Sequence, residues 1–197
     1  LDEAEGALWK RSYFDALRVK VPPPVRRVIV GIDPAASHTQ DSNETGIIVG
    51  MLGNDGHGYV LADGSGRFSP EGWALAALGM FDKYHADRLV AEDNNGGEMV
   101  EDVIRTRRPS APIKRIHASR SKQARAEPVA ALYEQGKIHH VGMFPELEDQ
   151  LVSWEPLSGD PSPDRLDALV WVFTELMVGT IPTIVRGERQ DSPWRDR

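Results

Sequence analysis

The sequence predicts an α/β protein built on a mixed central sheet with helices on both faces. Three observations point there. Short apolar runs of strand length recur along the chain, the first three are separated only by loops, and the later ones alternate with amphipathic helical stretches. At 197 residues with 40% hydrophobic side chains the chain is long enough for one ordinary domain with a real core. The 27% of charged residues rules out fibrous and wholly disordered readings, and the absence of cysteine rules out disulfide scaffolds, thiol nucleophiles and thiolate metal sites.

The elements follow in order. Leu8, Phe14 and Leu17 have roughly helical spacing, and Pro22-Pro23-Pro24 stops that helix. Residues 1–24 are therefore expected to be a connector or docking arm, with the folded domain at 25–180 and a polar, flexible tail at 181–197. Val28 to Ile32 is an apolar strand of the doubly covered kind. Gly46 to Leu52 and Tyr59 to Ala62 follow, joined across Asn54-Asp55-Gly56, a strong turn signal, so the first three strands read as an antiparallel meander.

Ser69-Pro70-Glu71 marks the start of a helix running to about His85. Then come a strand at Arg88–Glu92, a helix at 96–107, a strand at 113–117 and a helix at 121–135 interrupted early by Pro128. A short strand at 138–141 and helices at 145–154 and 163–177 complete the order. A meander followed by alternating helices and strands is the order of the ribonuclease-H-like fold.

Acidic residues fall where open α/β sheets place ligands. Asp33 follows directly on the apolar first strand, at its carboxyl end, and Glu92 and Asp93 end the Arg88 strand before Asn94-Asn95-Gly96-Gly97. If those strands are neighbours, Asp33 and Glu92 converge. In Ser162-Pro163-Asp164-Arg165-Leu166-Asp167, Ser162 reads as a helix cap and Asp164 as a favourable charge at the helix start. Asp167 lies instead beside the apolar stripe of Leu166, Leu169, Val170 and Phe173, where a carboxylate is costly without compensation. Three such acids form a hard oxygen site suited to Mg²⁺ or Mn²⁺, and their natural chemistry is two-metal phosphoryl transfer with ions ~3.5–4 Å apart.

The net charge of −7 counts at face value against a nucleic-acid binder, but its distribution does not. From Arg105 to Arg125 the chain carries eight Lys and Arg and no acid. Arg115, Arg120, Lys122 and Arg125 are the candidates for phosphate-backbone contact, with Ser119, Ser121 and Lys122 nearest the scissile phosphate. His139-His140 on a strand face opposite sides and read as structural. There is no phosphate-loop motif and no transmembrane run.

Together the blocks VIVGIDPAAS, LVAEDNNGGEMV, KQARAEPVAALYEQGKIHH, FPELEDQL and SPDRLDALVW resemble, in order, the C-terminal nuclease domain of tailed-phage large terminase subunits, also found in prophages and gene transfer agents. The resemblance runs from about Val25 to Met177. It implies an endonuclease cutting concatemeric double-stranded DNA during packaging with two Mg²⁺ or Mn²⁺ ions. Asp33, Glu92 and Asp167 would be the catalytic and metal-holding acids, and Asp164 and Asp93 lesser ligand candidates.

It further implies a preceding ATPase domain, a portal and a small terminase subunit as partners, and an intracellular place in the host cytoplasm at the packaging motor. The segment ALWKRSYFDALRVKVPPP looks like the connector from that ATPase domain, in keeping with a chain that opens on Leu rather than Met. The alternatives are a junction resolvase or DDE-type recombinase on the same fold, or a non-catalytic packaging adaptor. An actin-like kinase is more distant, since no second phosphate-binding repeat is found.

Overall fold

The computed structural model describes residues 3–34, 44–69, 71–92, 97–117, 121–159 and 162–179. Asp93, Ser119, Arg120 and the tail at 181–197 lie outside the described residues. The elements are α1 (Arg11–Leu17), β1 (Val25–Asp33), β2 (Gly46–Gly53), β3 (Gly58–Asp63), α2 (Gly72–Lys83), β4 (Arg88–Glu92), α3 (Gly97–Arg107), β5 (Ile113–Ile116), α4 (Lys122–Glu134), β6 (Ile138–His140), α5 (Pro145–Ser153) and α6 (Asp164–Phe173), which continues into a π-helical turn at Thr174–Val178.

The six strands form one sheet in the order β5-β4-β1-β2-β3-β6. β1, β2 and β3 make the expected antiparallel meander, turning at Gly56 with φ +81°. The meander is not an edge, however. β4 and β5 extend it in parallel on one side, and β6 pairs in parallel with β3 on the other. A strand of three residues, Ile138-His139-His140, could not announce a partner some eighty positions earlier.

Strand alternation divides the core between the two faces of the sheet. Ile29, Ile48, Val60 and Val90 pack with α1, α4, α5 and α6, while Val28, Val30, Ile32, Val49, Leu89 and Ala91 pack with α2 and α3. Pro128 does not interrupt α4. The helix runs through it, because Ala126, Val129, Ala130 and Tyr133 bury a face whose apolar gain offsets the ~3 kcal/mol proline penalty.

Residues 3–24 pack onto the domain. Trp9 and Phe14 are fully buried beside Tyr133, and Val19 bridges in parallel to Val141. Arg18 reaches Glu148 of α5 at 2.7 Å, and that carboxylate also takes the Nδ1–H of buried His140 at 2.8 Å. The triple proline falls between this packing and the start of β1, which is why the segment reads as separate in the sequence.

The placement of α6 matters most for function. A Cβ on Gly31 would lie 2.5 Å from the Ala168 carbonyl oxygen, and one on Gly46 would collide with the Asp164 carbonyl. Glycine at these two positions lets α6 lie directly on β1 and β2. Its first turn thus meets the carboxyl end of β1.

Candidate active site

Asp33 ends β1 and Glu92 ends β4, one residue beyond the registered pair Ile32–Ala91, so the two acids stand side by side on neighbouring parallel strands. Asp164 and Asp167 share the first turn of α6 above them. Burial pushes the Asp33 carboxyl well above the ordinary carboxylate range, and the charges of Asp167, Asp164 and Glu92 push it further against a smaller pull from Lys122. Burial, then the neighbouring Asp167, raises Asp164 to about 6. A residue explained in the sequence by its helix-start position is therefore part of the acidic group.

Two cations from the first turns of α4 answer these acids. Lys122 Nζ donates to Asp167 Oδ2 at 2.8 Å, and Arg125 Nη1 approaches Glu92 Oε2 at 3.4 Å. Cations at a helix N-terminus oppose the helix dipole, so their place on α4 is favourable only because acids face them. Ser162 does not cap α6 as expected. Pro163 occupies the capping position, and the Ser162 hydroxyl donates to Asp167 Oδ2, compensating a carboxylate that is itself buried.

Arg165, between the two aspartates, is an unforeseen clamp. Its buried guanidinium pairs with Asp63 at 2.8 Å, with Glu146 at 3.1 Å and with Glu44, locking the start of α6 to β3 and α5. Its sequence signal is weak, since an arginine in a first helical turn ordinarily reads as solvent-facing.

Among the described residues, no group of three or more His, Asp or Glu is arranged to hold a metal ion. The donor set still suits a hard divalent cation: every donor is a carboxylate oxygen, and mutual repulsion on buried Asp33 is what a dication relieves. Lys122 and Arg125 supply positive charge to the acidic group.

Among the described residues the cations of the basic stretch are divided among several acids. β5 sends Lys114 and Arg115 to opposite faces, Lys114 to Glu175 at 2.7 Å and Arg115 to Glu101 at 3.2 Å. Arg105 pairs with Glu101, Arg107 with Glu71 and Arg108 with Asp82. Lys122 is half exposed at 47% and lies at the acidic group. Arg125 turns inward. His139 and His140 also take opposite faces, His140 bonding Tyr133 and Glu148 inside and His139 stacking between His57 and Tyr59.

A family model described as the terminase RNaseH-like domain matches residues 30–176. No curated protein sequence matches the chain. Among solved structures, the large terminase nuclease of thermophilic phage G20c with bound magnesium aligns with a TM-score of 0.61 at 15% identity, covering 87% of this chain and 98% of that one. The nuclease domain of the large terminase subunit gp2 of bacterial virus Sf6 aligns at 0.63 and 13% identity, covering 83% and 96%. The HK97 bacteriophage large terminase aligns at 0.61 and 12%, covering 84% of this chain but 43% of that protein. At these identities the likeness to solved structures is one of fold, and the fold is ribonuclease-H-like.

Proposed function

Because the chain belongs to the terminase RNaseH-like domain family, we propose that it is a metal-dependent endonuclease domain that cuts concatemeric double-stranded DNA during genome packaging. The observation that carries this reading is the convergence of Asp33, Glu92, Asp164 and Asp167 at the carboxyl edge of the sheet, where burial first and the neighbouring charges second hold Asp33 well above its ordinary range. Asp33, Glu92 and Asp167 would hold two Mg²⁺ or Mn²⁺ ions, with Asp164 and Asp93 as further ligand candidates. When bound, such ions activate a water nucleophile and stabilise the leaving oxygen.

The chain's own residues prepare this chemistry. The Ser162 hydroxyl orients the Asp167 carboxylate, and the Arg165 clamp fixes the turn that carries it. Lys122 neutralises Asp167 while the site is empty of substrate. Its ammonium is half exposed, so it can turn from the buried carboxylate to a phosphate when DNA arrives. Arg115, Arg120 and Lys122 hold the DNA backbone without reading bases.

Residues 1–24 would lead from an ATPase domain, with portal and small terminase subunit as partners at the packaging motor in the host cytoplasm. The HK97 large terminase, of which this chain spans 43%, supports such a longer architecture. Among the described residues no helix is long and apolar enough to cross a membrane.

Plasmid cleavage in Mn²⁺ tests the reading. Asp167→Asn should keep the circular dichroism and melting behaviour of the wild type and lose nicking and linearisation. Cleavage at the wild-type rate would remove Asp167 from the site.

A further inference from the structure

Lys122 and Arg125 lie one turn apart on α4, yet their surroundings differ. The Lys122 side chain is 47% exposed, whereas that of Arg125 is 10% exposed and its partner Glu92 16%. The Arg125 guanidinium carbon lies 4.4 Å from the centroid of the Trp171 ring on α6. Its Nη1 approaches Glu92 at 3.4 Å, while its Nε and the Trp171 indole nitrogen are buried without a hydrogen-bond partner.

A cation enclosed in this way is poorly placed to neutralise a duplex phosphate, which needs a side chain able to reach solvent. The geometry fits another task. Planar stacking on an aromatic face is a property of guanidinium and fixes its plane. A 3.4 Å approach is also longer than the ~2.8 Å of a close charge-assisted bond, so Arg125 orients Glu92 without fully engaging it.

We propose that Arg125, seated over the Trp171 ring, is a positioning residue for Glu92 and not a DNA contact. It sets the carboxylate at the end of β4 and supplies positive charge beside it. This rests on the reading of Glu92 as a metal-holding acid.

Arg125→Met and Arg125→Lys are compared with the wild type. DNA binding in EDTA should keep the wild-type salt slope in both, while cleavage at saturating DNA falls at least tenfold in Arg125→Met. Arg125→Lys should regain thermal stability more than cleavage, since an ammonium cannot stack as a plane. A salt slope reduced by about 0.9 log units with unchanged saturated cleavage would make Arg125 a phosphate contact and overturn the proposal.

A second measurement on the wild type needs no variant to fold. In ¹⁵N spectra, Mg²⁺ should shift the Arg125 Nε and Trp171 indole signals, and DNA in EDTA should leave them in place. Mg²⁺ that moves the Asp33 and Asp167 carboxyl signals but neither of these overturns the positioning role alone. Mg²⁺ that moves no carboxyl signal overturns the metal-site reading and the positioning role with it.

Discussion

The Lys122 ammonium lies 2.8 Å from the Asp167 carboxylate, an oxygen that also accepts the Ser162 hydroxyl. One buried acid on α6 is thus satisfied by two donors from different segments, and the exposed one is the cheaper to withdraw.

Lys122→Gln removes that competitor. Mn²⁺ binding by calorimetry is expected to tighten about two- to fivefold, since a half-exposed ammonium no longer competes for the buried carboxylate. The same variant should flatten the salt dependence of DNA binding by about 0.9 log units. Unchanged values of both would separate Lys122 from metal and DNA alike.

Asp164 titrates near 6 in the folded protein against an ordinary value of 3.8. A raised folded pKa means that the protonated form favours folding: its contribution is fully present below about pH 3.8 and is lost as pH rises through about 6. Without metal, Asp164→Asn should therefore be more stable than the wild type at pH 7 by about 1–2 kcal/mol after allowance for solvent screening, and equal to it near pH 4. Urea titrations at the two pH values measure this, and an advantage independent of pH would contradict it.

Glu148 behaves in the opposite sense. Burial alone would raise its carboxyl, but the hydrogen bonds from His140 and Arg18 outweigh burial and bring it to about 2. Its contribution is present above about 4.5 and is lost as pH falls through about 2. Glu148→Gln should cost about 2–4 kcal/mol at pH 7 and flatten the acid limb of the stability profile. An unaltered acid limb would show that α1 docks independently of this network.

Gly31→Ala tests the approach of α6 to the sheet. The added methyl meets the Ala168 carbonyl and Val172 Cγ2 at 2.5 Å, so the helix must lift or the strand must shift. A loss of about 1–3 kcal/mol in urea unfolding is expected, with a larger proportional loss of cleavage because Asp167 rides on that helix. Wild-type stability and cleavage together would mean that the close contact positions nothing.

Much of the molecule is legible in its sequence because local patterns decide it. Apolar runs mark β1 to β4, and an acid directly after such a run, as at Asp33 and Glu92, falls at the strand end by geometry alone. Asp167 stands out because a carboxylate on an apolar stripe needs a reason.

What is illegible depends on partners distant in the chain. Burial of Trp9 and Phe14 beside Tyr133, the pairing of β6 with β3, the Arg165 clamp and the convergence of Arg27, Arg88 and Lys114 on Glu175 are long-range meetings without local signatures. For the same reason the ion pairs of the basic stretch are not legible in its sequence. Its charges are close in sequence, but strand alternation and helix rotation aim those of the described residues at different acids.

The central claim is that Asp33, Glu92 and Asp167 hold divalent metal. An anomalous difference map from crystals soaked in Mn²⁺ tests it most directly. The account expects peaks in contact with Asp33, Glu92 and Asp167, with Lys122 withdrawn from Asp167. Saturating Mn²⁺ that leaves the Lys122–Asp167 pair closed, with no peak touching these carboxylates, would contradict it.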